Sequence, residues 1–189
     1  MGFSLLRNGL VLGGEGHEWR LSREREAEMM LAQGQLVTVV PLVGIERFEL
    51  IEGPIGPLVP MAPAQVPLYA ALLLKHSGQC VIQAPEWLSL SYLKRAVERE
   101  EELKDEFTET DMYLFENASV CLENCEIIED IAEIRIQLKK LREVRMQKLL
   151  KGIEYIDTPI IGTNNLTFFE FRKIKEYLLP HLEIQKNLQ

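Results

Sequence analysis

The sequence predicts an α+β, mainly α fold, in which a small β-rich part near the N-terminus precedes a larger α-helical bundle. Three observations predict it. Leu36-Val-Thr-Val-Val-Pro41 is short, β-branched and closed by proline, as a strand is. Glycine and proline then punctuate the chain at Gly53-Pro54, Gly56-Pro57, Pro60 and Pro63. From Pro67 onward apolar residues recur at helical spacing.

Taken in order, residues 1–25 mix Gly, Arg and Glu without an amphipathic period. They are expected to be a loose leader, or to be untranslated if synthesis starts at Met29 or Met30. A short helix is predicted from the cap Ser22 through Glu24–Leu31, stopping at Gly34. After the Leu36–Pro41 strand, Ile45–Glu52 is a second, less regular strand candidate. The β-rich part is thus assigned to 26–65 and the helical part to 66–189.

Pro67 suits the first position of a helix, because its missing N–H would go unpaired there. Gly78 suits its left-handed stop. Pro85-Glu-Trp-Leu leads into a second helix with Ser89 as N-cap. Its acidic face, Glu98, Glu100, Glu101, Glu102, Asp105 and Glu106, reads as solvated. The third helix is expected to open near Thr110 or Asp111, with Met112, Phe115, Ala118, Leu122 and Cys125 on one stripe.

The fourth and longest helix carries Ile127, Ile131, Ile134, Leu138 and Leu141 at alternating four and three spacing. The stripe then drifts to Val144, Leu149 and Ile153. Ile128, Ile136 and Met146 lie off it, so this helix has apolar residues to bury in its own fold or against a partner. Acids crowd its start and bases its end, as the helix dipole favours. The last helix has Thr167 as N-cap, Glu170 three residues on, and Leu166 placed to staple against Phe171. Pro180 ends or kinks it.

The composition bounds the function. The chain has 189 residues with 47% apolar and 26% charged residues, an ordinary globular make-up. Its formal net charge of −8 argues against tight autonomous binding to a phosphate backbone. The apolar run Val66–Leu74 is far shorter than the ~20 residues of a membrane helix. No signal peptide is readable at the start. Three cysteines cannot all pair, so reduced thiols are expected.

Residues that could carry chemistry are sparse. Gly13-Gly-Glu-Gly16 follows no strand and lacks the full dinucleotide fingerprint. Cys121 and Cys125 stand one helical turn apart and could offer two thiolates to a metal, or simply pack as small apolar groups. His17, His76 and His181 sit in no nucleophile or metal context. No catalytic residue, metal site or cofactor is nominated, and no enzymatic activity is expected. Trp87 reads as a core anchor. Lys139, Lys140, Arg142, Arg145 and Lys148, at the basic end of the long helix, either complement the fold's own charge or form a weak DNA contact.

Several fragments, in order, resemble the Psf-two family of the eukaryotic GINS replication complex. They are Leu36–Pro41, Gly53-Pro-Ile-Gly-Pro57, Val66-Pro-Leu68, Cys80 with Pro85-Glu-Trp87, Phe107-Thr108, and Asn165-Leu-Thr-Phe-Phe-Glu170. Each is short; their joint order and spacing, from about Glu26 to Leu178, carry the resemblance. It implies a β-rich B domain followed by a helical A domain, and a nuclear heterotetramer with three sister GINS subunits. It further implies that this complex joins the MCM ring and the Cdc forty-five protein in the replicative helicase, where the MCM ring hydrolyses ATP. In that setting Ile127, Ile131, Ile134, Leu138, Leu141, Phe168, Phe171, Ile174 and Leu178 are candidates for bundle core or subunit interface. A leader with no family counterpart and a short tail depart from the pattern.

Overall fold

A computed structural model describes residues 32–50, 53–104, 106–126, 129–154 and 164–175. The leader, Ile127, Ile128, Leu178 and Pro180 lie outside the described residues. The β-branched run folds as strand β1 (Leu36–Pro41), whose alternation turns Val37 and Val39 inward. β2 (Phe48–Leu50) and β3 (Gly53–Ile55) form a separate antiparallel pair. Among the described residues of the predicted second strand, Phe48–Leu50 pairs as β2, while Ile45 instead bridges Leu58. Gly56 has φ +91, and a Cβ there would press on the backbone of Arg47, Glu46 and Leu58.

β4 (Ala64–Pro67) pairs antiparallel with β1, setting Val37 opposite Val66. Helix α1 (Leu68–His76) follows, with Pro67 as its N-cap rather than its first residue. Gly78, at φ +68, ends the turn as predicted: its N–H reaches the Lys75 carbonyl at 2.8 Å. β5 (Cys80–Gln83) then returns antiparallel to β1, with Val39 opposite Ile82. The sheet order is β4-β1-β5-β6. It therefore runs through the boundary expected at 65–66 and ends its contiguous part at Gln83.

After a 3-10 turn at Glu86–Leu88, α2 (Leu90–Glu102) starts at Ser89, whose hydroxyl accepts the Tyr92 N–H. Helix α3 (Leu114–Asn124) begins later than its apolar stripe suggests. Asp111 accepts the Tyr113 N–H and holds a turn there, leaving Met112 exposed before the helix. Three members of the predicted stripe, Phe115, Ala118 and Leu122, are buried on this helix. Cys125 leaves the helix and enters β6 (Cys125–Glu126), parallel to β5 through Ile82. Helix α4 (Ile131–Glu154) follows, and a last helix, α5, spans 168–175.

One apolar core joins the two parts. Val37, Val39, Val66 and Ile82 of the sheet share it with Leu93 of α2, Cys121 of α3 and Ile134 of α4. A second cluster, Val97, Leu114, Phe115 and Leu141, continues between the helices, with Trp87 packed against both. Each fully buried Leu or Ile contributes about 1.5–3 kcal/mol through removal from water, so the seam is a packed interior rather than a linker. Among the described residues no helix is long and apolar enough to cross a membrane.

Candidate functional site: the basic end of the long helix

The five cations nominated for a DNA contact all lie on α4, and the fold sends them to different places. Arg145 is fully buried. Its Nε and Nη2 donate to the two oxygens of Glu170 at 2.7 and 2.9 Å, a bidentate pair. Its Nη1 donates to Glu100 Oε2 at 2.9 Å and reaches the Thr108 carbonyl and the Thr110 hydroxyl, each at 3.2 Å. Its Nη2 also donates to the Asn165 carbonyl at 2.6 Å. Every guanidinium nitrogen is thus engaged inside the protein, and the Phe107 ring covers the group at 5.0 Å.

Lys148 completes the arrangement. Its ammonium donates to Glu100 Oε1 at 2.7 Å and to the Glu106 carbonyl at 3.1 Å. Two carboxylates, Glu100 and Glu170, therefore face two cations, so the buried set is neutral. Burial alone would push the Glu100 carboxyl up. Hydrogen bonds from Lys148 and Thr108, with the charges of Arg145 and Lys148, outweigh that and hold it below the ordinary carboxylate range. Burial likewise opposes the charge on Arg145, and Glu170 and Glu100 more than restore it.

Local structure places each partner. Glu100 is the inward residue of the last turn of α2. Thr108 sits in the connection after α2, where its hydroxyl and N–H both reach Glu100. Asn165, at φ +59, turns its carbonyl toward Arg145 while its amide donates to the Phe107 carbonyl at 3.1 Å. Thr167 and Glu170 cap α5 reciprocally, as the sequence predicts: Thr167 N–H to Glu170 at 2.8 Å, and Glu170 N–H to the Thr167 hydroxyl at 3.4 Å. One carboxylate thus serves the cap and the arginine together.

The other cations differ. Arg142 lies over the rings of Phe115 and Phe169 at 5.0 and 4.6 Å. Lys140 pairs with Glu101 at 2.9 Å and Lys139 with Glu143 at 3.7 Å, all four side chains well exposed. The candidate DNA-contact stripe is corrected accordingly: Arg145 has no surface to offer a phosphate and Lys148 is nearly buried, whereas Lys139, Lys140 and Arg142 stay exposed. Glu100, read from its charge run as part of a solvated face, is corrected too. A single inward position in that run takes the buried cation's counter-charge.

The apolar candidates divide between core and surface. Ile134, Leu141 and Ile174 are buried, while Leu138 and Phe168 are half-buried, the latter ring 5.6 Å from Tyr113. Ile131 is exposed, as is Phe171 at 46%, so the expected Leu166–Phe171 staple leaves Phe171 facing outward. Ile136, read as lying off the main stripe, is 57% exposed, and Leu150, nearly four turns further along the same face, is also exposed. On the sheet part, Leu42, Val43, Val59 and Met61 are exposed where Met61 N–H meets the Pro41 carbonyl. Among the described residues no group of three or more His, Cys, Asp or Glu side chains could hold a metal.

Sequence reasoning missed Glu100 as the buried counter-charge, and Thr108 and Asn165 as ligands of Arg145. A signal was present: Phe107-Thr108 and Asn165–Glu170, two fragments that carry the family resemblance, are the segments that ring the guanidinium.

Comparison with known proteins follows the same layout. The family model for the PSF2 N-terminal domain matches residues 25–83, and the one for the GINS complex protein helical bundle domain matches residues 87–189. The chain belongs to the PSF2 family of GINS complex subunits. It is 38% identical over 164 residues to the probable DNA replication complex GINS protein PSF2 of Encephalitozoon cuniculi, covering 87% of this chain and 94% of that one. It is 34% identical over 170 residues to the DNA replication complex GINS protein PSF2 of Homo sapiens, covering 84% and 90%. Against the Schizosaccharomyces pombe protein of that name it is 31% identical over 160 residues, covering 84% and 86%. The break between the two PSF2-family segments falls just after β5, at the end of the sheet's contiguous part.

Proposed function

We propose that this chain is a non-catalytic scaffold subunit of a nuclear GINS heterotetramer, acting in the initiation and elongation of DNA replication. In this reading it is held by three sister subunits, and the assembled complex joins the MCM ring and the Cdc forty-five protein in the replicative helicase. The observation that carries the reading is the apolar surface left on both parts of a family member: Leu42, Val43, Val59 and Met61 beside the sheet, and Ile136, Leu150 and Phe171 on the helices. Surface of this kind gains from being covered by a partner. The relatives' shared description as DNA replication complex GINS proteins supplies the kind of partner.

Expression alone and co-expression with the three sister subunits test it. The chain alone should aggregate or be recovered poorly, and together the four should run as one stoichiometric particle by native mass spectrometry. A stable monomer that ignores the sister subunits would overturn the reading. A DNA contact by this chain is tested at the well-exposed lysines of that stripe, Lys139 and Lys140. Reversing both charges should reduce both DNA affinity and its salt dependence in the assembled complex if that contact exists.

A further inference from the structure

Of the three cysteines, Cys121 and Cys125 stand together at the meeting of sheet and helices. The Cys125 N–H bonds to the Cys121 carbonyl at the end of α3, which fixes the two residues one helical turn apart. Four residues at a rise of about 1.5 Å each put their Cα atoms about 6 Å apart, inside the span of a disulfide. The chain leaves the helix at Cys125, whose backbone is extended, so its side chain is not held in a helical rotamer.

The surroundings differ for the two thiols. Cys121 is fully buried in the shared core, and Cys125 is half-buried, its sulfur 3.7 Å from the Gln83 carbonyl of β5. Lys75 of α1 is tied to the same corner through the Asn124 carbonyl. Cys80, the third cysteine, is buried and directed to the Ala71 carbonyl at 3.6 Å.

We propose that Cys121 and Cys125 form a reversible oxidation site, closing to a disulfide with hydrogen peroxide as the oxidant. Cys125 is the attacking thiol, being the accessible one, and Cys121 resolves. In the first step the Cys125 thiolate attacks one peroxide oxygen; the S–O bond forms, the O–O bond breaks, and the departing hydroxide takes a proton to become water. In the second step the Cys121 sulfur attacks the resulting sulfenic acid. The S–S bond forms, the S–O bond breaks, and the oxygen leaves with the Cys121 proton as a second water. Two electrons pass from the thiols to the peroxide.

The electrostatics fit these roles. The hydrogen bond shared with Cys121 holds the Cys125 thiol below its ordinary range against the effect of burial, and the Lys75 charge helps. Donating that hydrogen bond, together with burial, pushes the Cys121 thiol up. Burial also pushes the Cys80 thiol up, which keeps it a poor competitor. Because Cys125 opens β6, oxidation would act on the strand that fastens the helices to the sheet.

The chain, assembled with its sister subunits, is treated with hydrogen peroxide, blocked with N-ethylmaleimide under denaturing conditions and digested with trypsin. No Lys or Arg lies between Lys104 and Arg135, so both cysteines fall in one peptide and Cys80 in another. The expected result is a 105–135 peptide lighter by two hydrogens and unlabelled, restored to double labelling by dithiothreitol, with Cys80 still labelled. Cys121→Ser should stop the reaction at a Cys125 sulfenic acid that dimedone traps. Lys75→Met should slow closure several-fold. The wild-type peptide decides even if a variant folds poorly. Added oxygen on Cys125 without loss of two hydrogens, preferential oxidation of Cys80, or two reduced thiols at a dose that oxidises a surface thiol would each overturn the proposal.

Discussion

Along its first three turns α4 meets the rest of the molecule through Ile134, Leu138 and Leu141; further along the same face it presents Arg145 and Lys148 to Glu100 and Glu170. Both stretches are buried, but they hold by different physics. Apolar contact is non-directional and accepts a substitute of similar volume. The ionic stretch is directional: the guanidinium fork fixes α2, the 106–110 connection and the start of α5 relative to one side chain. It also carries a risk the apolar stretch lacks, since removing one partner strands a charge in the interior.

Breaking the ionic stretch should therefore have the largest effect. Arg145→Met leaves Glu170 buried without its cation and Glu100 with Lys148 alone, and should cost about 3–5 kcal/mol, read by urea unfolding of the assembled complex. Adding Glu100→Gln and Glu170→Gln to that variant should recover part of the loss; full additivity of the three changes would show that the groups do not act as a unit. Leu141→Ala, in the apolar stretch, should cost about 3 kcal/mol through lost contact and the cavity left behind, whereas Leu141→Met should be nearly neutral.

Acid sharpens the contrast further. Glu100 titrates below its unfolded value, so its stabilising contribution is fully present above the ordinary carboxylate pKa and is lost as pH falls through the depressed folded value. Melting temperature should drop over that acidic window, and Glu100→Gln should flatten that part of the profile. A wild-type profile unchanged by Glu100→Gln would remove Glu100 from the explanation. Thr167→Ala, which breaks half of the reciprocal cap, should cost about 1 kcal/mol. Lys139→Glu with Lys140→Glu should shift stability least, by less than about 0.5 kcal/mol each, because both pairs are solvent-exposed.

The same contrast decides what was legible in the sequence. Strand β1, the Ser89 cap, the Gly78 stop and the Thr167–Glu170 box were legible because each rests on residues within a few positions of one another. The apolar stripe of α4 was legible for the same reason, its spacing showing that Ile134 and Leu141 share a face. β5 and β6 were not, since strands of four and two residues owe their existence to partners far along the chain. The sheet therefore reached past the expected boundary. Which of the two readings held for Arg145 was not legible, because a buried arginine and a surface one look alike among neighbouring bases, and its two carboxylates come from 45 and 25 residues away. The place of Ile136 off the main stripe was legible, but whether its own fold buries it was not, and the fold leaves it exposed.

Native mass spectrometry of the complex recovered with the three sister subunits compares two variants directly: Ile136→Glu with Phe171→Glu, against Lys139→Glu with Lys140→Glu. If apolar surface is what binds this chain into its assembly, the first pair loses stoichiometric recovery of the sister subunits and the second retains it. Intact assembly with the apolar pair charged, and dissociation with the lysines reversed, would contradict it.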